Sequence, residues 1–596
     1  MCGIVGYIGK ENCLPILIKG LKRLEYRGYD SAGVAYIKDN DIKITKTKGK
    51  IKDLEKIIDD KDTSSIGIAH TRWATHGGVD DINSHPHKVG DITIVHNGII
   101  ENYQELKDKL EKKGYKFKSQ TDTEVACAYI DYEYQKSKDK NMIKIMDNCI
   151  KVFEGSYAMT ILIKNDNKNL YVMKKDSPMV IGMSKHENYI ASDISAFIDT
   201  KVDYIILEDL ETGIITEDSI KIYKNKKEIK KDVKHINYDY NDADKHGYEH
   251  YMIKEIHEQS SVISKLNKLY LENLDTIPDI SKYNKIHIIG CGTAYHAGMI
   301  GKYLIETYSD FEVNVYIASE YRYQKIFADK NTLVITPSQS GETADTLACI
   351  KKAKEYGCDT LGIVNVKDSS IARLVDNVIY TEAGPEIAVA STKAYTSQAY
   401  IFSLLALKLG ITKKLIKKED ITLEYQKLPT LIEKMINIDY NDIIKKFWKD
   451  DDLFYLGRNI DYMSVLEGSL KLKEISYVHS EAYQAGELKH GTISLIEKDT
   501  CVIALMSDDL VAPKTISNIK EVKARGAYVV LLIKDSLNNN IDTSCYDKLI
   551  TISDTHPLLQ PILNVVPLQL IAYNVAKKRG CDIDKPRNLA KSVTVE

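Results

Sequence analysis

The sequence predicts an α+β domain of stacked antiparallel sheets between helix layers, followed by two α/β domains with parallel sheets. Three observations carry this expectation. Residues 1–235 read as short strands broken by Gly and Asn-Gly turns, with two helical stretches among them. Beyond residue 247, apolar runs of four to six residues alternate with helical segments, the pattern of parallel strands joined by crossover helices. Finally, this second half contains an internal repeat.

In the first region GIVGYIG, SAGVAYI, SIGIAHTRWA, ITIVHNGII, YAMTILI and LYVMKK are the strand candidates, and Cys13 to Leu24 and Thr121 to Gln135 the helices. The polar, Asn-, Asp- and Lys-rich stretch KHINYDYNDADKHGYEHY marks a linker over 236–247. After it come IHIIG, TLVIT, TLGIV, LFYLG, CVIAL and YVVLLI. Gly290 of IHIIGCG answers Gly457 of LFYLGRN, Thr332 answers Thr500, and Gly357 answers Gly526, at offsets of 167, 168 and 169 residues. So steady a spacing implies two copies of one strand–helix domain, over 248–430 and 431–586, with a tail at 587–596.

Composition narrows the function. The 596 residues carry 82 Lys+Arg against 85 Asp+Glu, so no basic excess favours nucleic acid. The longest charge-free apolar-rich run, Ala394 to Leu407, has 14 residues and is too short to span a bilayer. MCGIVGYIGKEN has neither a basic nor a sustained apolar region and is no secretion signal. None of the ten cysteines forms a C-x-x-C pair, which argues against a zinc site and a redox dithiol. A cytoplasmic protein with reduced thiols is expected.

Several residues carry chemistry. Cys2 follows the initiator Met; once Met1 is removed, thiol and α-amine share one residue, and an amine titrating near 7.7–8.0 can act as base for the thiol. In His70-Thr-Arg72-Trp73-Ala-Thr75-His76-Gly a guanidinium falls near a strand end, suited to gripping a carboxylate. Asn97-Gly98 after ITIVH offers an amide and an exposed N–H as an oxyanion hole, although alone the dipeptide reads as a type I′ turn. Asp122 in SQTDTEV suits an α-ammonium or, more plainly, a helix cap. In the second half, Ser338-Gln339-Ser340-Gly341-Glu342-Thr343 leads from a strand into a helix, so its hydroxyls and backbone amides suit a phosphate. The second copy has Ser507-Asp508-Asp509-Leu-Val-Ala there, whose carboxylates would repel one, so one phosphate site per chain is expected. Glu467, Lys471 and Glu474 share a helix face flanked by Val465, Leu466, Leu470, Leu472 and Ile475. A carboxylate on such a buried face, with its pKa raised and a cation beside it, suits proton abstraction.

These residues also carry a resemblance. MCGIVGYIG, RLEYRGYDSAG, HTRWATHG, HNGIIEN and TDTE are similar to the glutaminase domain of class II amidotransferases. GCGTA, SQSGET, VASTKAYT, EGSLKLKEISY, ELKHG and PRNLAKSVTVE resemble the sugar-isomerase half of bacterial glucosamine-6-phosphate synthases, and the likeness runs from Cys2 to Glu596. It implies an N-terminal-nucleophile hydrolase domain and two sugar-isomerase domains acting on L-glutamine and D-fructose 6-phosphate. It implies Cys2 as nucleophile, Asn97 and Gly98 as oxyanion donors, and Arg72, Thr75, His76 and Asp122 as glutamine contacts, with Trp73 gating ammonia. Glu474 would be the base between C1 and C2, Lys471 its supporting ammonium, and His490 a ring-opening histidine supplied by the neighbouring subunit of a homodimer. Lys591 would meet the open-chain carbonyl, with Ala590 beside it. Thr293, Ser338, Gln339, Ser340, Thr343, Ser391 and Glu467 would hold the sugar phosphate. No cofactor, metal, nucleic acid or membrane is implied. Two departures from the family pattern are Ala294, where Ser is usual, and the loop Gly457–Asp461.

Other acceptors fit less well. An amidophosphoribosyltransferase needs a Gly/Thr-rich pyrophosphate loop after its paired acids, and Leu510-Val-Ala-Pro follows Asp508-Asp509 instead. An asparagine-synthetase-like S-G-G-x-D-S loop is absent. A sugar-phosphate sensor without catalysis would not need the Glu467–Lys471–Glu474 face.

Overall fold

The computed structural model describes residues 2–25, 28, 30–73, 76–200, 202–235, 245–539 and 541–594. Two compact units emerge, Met1–Asn241 with Ala590–Glu596, and Asp242–Leu589.

In the first unit two seven-stranded sheets, antiparallel throughout, lie face to face. Alternation along each strand assigns the layers. In Gly3–Gly9, Ile4 and Ile8 enter the layer between the sheets with Ile66, Ile68, Val95, Ala158 and Val172, whereas Val5 and Tyr7 face outward onto the helix Cys13–Leu24. That helix starts where the Asn12 side chain accepts from Leu14 N, and it buries Leu14, Leu17, Leu21 and Leu24 on one face. The helices Tyr103–Glu111, Asp122–Lys136 and Met142–Ile150 cover the opposite sheet. The expected layering of sheets between helices is therefore present.

The second unit holds two five-stranded, all-parallel sheets. Their strand orders match element for element, as the repeat requires. The first runs Glu312–Ile317, Lys285–Gly290, Thr332–Ser338, Asp359–Val364, Asn377–Tyr380. The second runs His479–Gln484, Asp452–Gly457, Cys501–Met506, Tyr528–Lys534, Lys548–Ile552. The repeat extends to atomic detail at one turn. A Cβ on Gly290 would lie 2.9 Å from Tyr295 N, and one on Gly457 2.5 Å from Tyr462 N, so in both copies only glycine lets the next helix start this close to its strand. A single apolar core, with Ile288, Phe402, Tyr455, Val465 and Leu568, joins the copies.

All ten cysteines are free, seven of them buried. Among the described residues no helix is long and apolar enough to cross a membrane.

Candidate active sites

In the first unit, the strands Gly3–Gly9 and Ile66–Arg72 pair with Gly3 opposite Thr71, which sets Cys2 beside the end of the second strand. Trp73 N donates to Cys2 Sγ at 3.3 Å. The facing sheet supplies Asn97, whose Nδ2 donates to Cys2 O at 3.1 Å. Burial pushes the Cys2 thiol up, against the Trp73 N–H bond and the Arg72 charge that favour the thiolate. Cys2, Trp73 and Asn97 are thus brought together.

Asn97-Gly98 lies within the strand Ile92–Ile100 and forms no hairpin turn. The reason is local. Gly98 has φ +124°, and a Cβ there would fall 2.0 Å from Ser156 O of the neighbouring strand, so the glycine serves a distortion within the sheet. Arg72 is buried and donates through Nη1 to Gly78 O at 3.2 Å and through Nη2 to His76 O, fixing the backbone of His76 and Gly78. His76 packs edge-on against Tyr103. Thr75 lies outside the described residues. The helix-cap reading of Asp122 is corrected: Thr121 caps that helix, accepting from Glu124 N, while buried Asp122 accepts from Ile100 N at 2.8 Å.

In the second unit the site forms at the carboxyl ends of the parallel strands, where open α/β sheets place their ligands. Strands Lys285–Gly290 and Thr332–Ser338 are parallel neighbours, so Thr293 and the Ser338–Thr343 loop follow them at the same, carboxyl end of the sheet. Ser338 Oγ accepts from Gly341 N at 3.0 Å, and Ser340 Oγ from Glu342 N at 3.2 Å. Thr343 is the N-cap residue of Ala344–Glu355 but makes no side-chain cap bond. Gln339 and Ser391 are half-buried.

The helix Ile460–Ser476 carries Glu467, Lys471 and Glu474, the residues expected to act as acid and base. Lys471, fully buried, stands 2.6 Å from Glu474 Oε2 and 3.3 Å from Glu467 Oε1, and donates to Thr293 Oγ1 at 2.9 Å. Glu467 also accepts from Thr293 Oγ1 at 3.0 Å and lies 2.7 Å from His296 Nδ1. Burial alone would lower the Lys471 pKa, but the two carboxylates outweigh it and raise it. For Glu467 burial works upward, yet the Lys471 charge and the His296 bond leave it lowered. The expectation of a raised carboxylate therefore does not hold for Glu467, which is a fixed anion tying the helix to Gly292–Thr307. Replacing Lys471 by Met would leave two carboxylates without their cation, a loss of about 3–5 kcal/mol. Calorimetry should show the Lys471→Met transition at clearly lower temperature; an unchanged Tm would refute the pairing.

The second copy corrects one detail. The carboxylate facing its loop is Asp461, which accepts from Ser507 N at 2.9 Å, Asp508 N at 3.2 Å and Ser507 Oγ. Burial pushes Asp461 up to about 7 in spite of those bonds. Asp509 pairs with Lys534, and Asp508 accepts from Asn459 Nδ2 at 2.9 Å and from Leu510 N at 3.0 Å, so the Ser507 and Asp508 amides are left to Asp461. Asp461 stands 167 residues after Ala294, so the two departures in sequence, Ala294 and the 457–461 loop, are one contrast: a methyl group in one copy, a carboxylate in the other. If the first loop holds phosphate, Ser340→Ala with Thr343→Ala should raise the KM for sugar phosphate at least about tenfold, one to two lost hydrogen bonds to a charged group. Asp508→Ala with Asp509→Ala should leave it unchanged. Equal losses from both pairs would contradict the contrast.

His490 ends the short turn Glu487–His490 and is exposed. Ala590 and Lys591 are half-buried, in the segment grouped with the first unit. Two ties escaped the sequence reading. His296 follows Thr293 by three residues, so helical spacing after GCG was the available signal. His70 stood inside a quoted motif without a role.

Comparison with known proteins gives the class of the chain. Residues 77–199 match the glutamine amidotransferase domain, and residues 279–408 and 446–578 match the SIS domain, so an amidotransferase domain precedes a doubled SIS unit. Cys2, Arg72 and Trp73 lie ahead of the first match, but full-length relatives cover them. The chain is 47% identical over 616 residues to the glutamine–fructose-6-phosphate aminotransferase [isomerizing] of Clostridium tetani, and 47% over 616 residues to that of Caldanaerobacter subterraneus subsp. tengcongensis, covering 100% of each chain. The protein belongs to this family of isomerizing glutamine–fructose-6-phosphate aminotransferases. Among solved structures, the C-terminal domain of glucosamine-fructose-6-phosphate aminotransferase from Francisella tularensis covers 58% of this chain and 100% of its own, with TM-score 0.55 and 36% identity.

Proposed function

We propose that the chain makes D-glucosamine 6-phosphate and L-glutamate from L-glutamine and D-fructose 6-phosphate. Arg72, Trp73, Thr75, His76 and Asp122 hold glutamine. The Cys2 thiolate adds to its side-chain amide carbon, and Asn97 and Gly98 donate to the oxyanion. Collapse, with the proton that the Cys2 α-amine took from the thiol passing to the amide nitrogen, expels ammonia and leaves a thioester, which water cleaves to glutamate. The ammonia passes internally, Trp73 gating it.

In the sugar half, Ser338, Gln339, Ser340, Thr343, Thr293 and Ser391 bind the phosphate ester, and Glu467 and Ala590 complete the pocket. His490 of the neighbouring subunit opens the ring, and Lys591 meets the C2 carbonyl as a Schiff base that ammonia displaces. Glu474 then takes a proton from C1 of the resulting imine, and a proton returns to C2, leaving the aldose with its amine there. The homodimer rests on the resemblance, and the cytoplasmic location on the cysteine usage. The observation that carries the reading is the Glu467–Lys471–Glu474 stripe, tied through Thr293 and His296 to the helix Gly292–Thr307: burying these charges costs stability, and clusters of this kind concentrate at functional sites.

Amide-¹⁵N-glutamine incubated with fructose 6-phosphate should deliver its label to C2 of the hexosamine phosphate. Hexosamine without label, or no hexosamine, would refute the reading.

A further inference from the structure

Alternation along two strands makes a pair that the proposed mechanism does not use. Ile66 and Ile68 point between the sheets, and so does Val95 opposite them; two residues on, His70 and Asn97 share that layer. His70 is wholly buried, and its Nε2 lies 2.9 Å from His96 O and 3.1 Å from Asn97 Oδ1. A backbone carbonyl only accepts, so Nε2 carries the proton. The Asn97 atom facing that N–H must then be its oxygen, which turns Nδ2 the other way, onto Cys2 O.

The ring is itself braced. His70 stacks on His85 with centroids 4.2 Å apart, and His85 meets His87 edge-on at 5.0 Å. His87 Nε2 lies 3.1 Å from Thr121 Oγ1, the cap of the helix that carries Asp122. Burial lowers His70 to about 3 and holds His85 and His87 well below the ordinary histidine value, so the stack is neutral.

We propose that His70 is a positioning residue for the oxyanion hole: its Nε2–H fixes the Asn97 amide with the nitrogen toward the reacting carbonyl. This rests on Cys2 as nucleophile and Asn97 as donor. Without the N–H the amide can turn over and offer oxygen to an oxyanion, which repels it.

Two amide variants separate this role from simple packing. Gln at position 70 can bring its terminal NH₂ near the Nε2 position, whereas Asn is too short. His70→Asn should lower kcat for glutamine hydrolysis by roughly 10–100-fold, less than the about 10²–10³ lost when an oxyanion donor is removed outright, because the amide is freed to turn and not deleted. Its KM should stay within about twofold, since the bound ground state carries no oxyanion. His70→Gln should retain at least about a third of native kcat. Alkylation of Cys2 by iodoacetamide, which displaces iodide and forms no oxyanion, should proceed at the native rate in both. In an Asn97→Ala background His70→Asn should cost nothing further. Native kcat in His70→Asn, equal losses in both variants, slowed alkylation, or a full additive loss on top of Asn97→Ala would each overturn the proposal. Cys2→Ala is the control: activity surviving there would refute the nucleophile itself, whereas an inactive Cys2→Ala beside an unaffected His70→Asn would refute the positioning role alone.

Discussion

Glu474→Gln is expected to abolish hexosamine formation while leaving glutamine hydrolysis measurable. The amide matches the carboxylate in size and cannot accept a proton from carbon. Loss of a general base costs about 10²–10⁴ in rate, which corresponds to roughly 3–5 kcal/mol of barrier. The substitution also leaves the scaffold paired, because Lys471 keeps Glu467 at 3.3 Å and its bond to Thr293 at 2.9 Å. That separates it from Lys471→Met, which strands two carboxylates and acts on stability. Glutaminase activity belongs to residues of the other unit and should be retained. Hexosamine phosphate is followed by NMR and glutamate release in a coupled assay. Synthesis above a tenth of the native rate would remove Glu474 from the role of base.

The large features of the fold were legible because they rest on local patterns. Alternating apolar residues in GIVGYIG and SIGIAHTR assign inner and outer faces, and both helices expected in the first region start within a residue of their expected positions. The two parallel sheets follow from apolar runs separated by helices, and their equivalence from a fixed offset. What stayed hidden depends on which distant elements meet. His296 and Glu467 are 171 residues apart in sequence, and only the packing of Gly292–Thr307 against Ile460–Ser476 brings them together. In sequence Asp461 reads only as part of a divergent loop, because nothing local shows that its carboxylate reaches the amides after the next strand. Asn97-Gly98 misleads in the opposite way. Its local propensity is a turn, but pairing with the strand Gly155–Ile163, Asn97 with Ala158 and Gly98 with Tyr157, keeps it in a sheet.

Retaining Met1, or adding residues ahead of Cys2, is expected to collapse glutaminase activity while conversion of fructose 6-phosphate to glucose 6-phosphate persists. An added residue turns the Cys2 amine into an amide, which accepts no proton at neutral pH, so the thiol loses its base. An ordinary cysteine titrates near 8.5 and is only a few per cent thiolate at pH 7. Here the fraction is smaller still, because burial pushes the Cys2 thiol up further. The Trp73 N–H at 3.3 Å stabilises a thiolate once formed but removes no proton. Activity should therefore fall by at least about 10²-fold, the lower end for losing a proton-transfer partner. Mass spectrometry of the intact chain reports whether Met1 is present, and ammonia release measures the glutaminase rate in the same preparation. The isomerisation serves as the internal control, because in the proposed mechanism it draws on Glu474, Lys471 and His490 and on no atom of Cys2. An N-terminally extended chain that hydrolyses glutamine at the full rate would show that Cys2 is not the nucleophile.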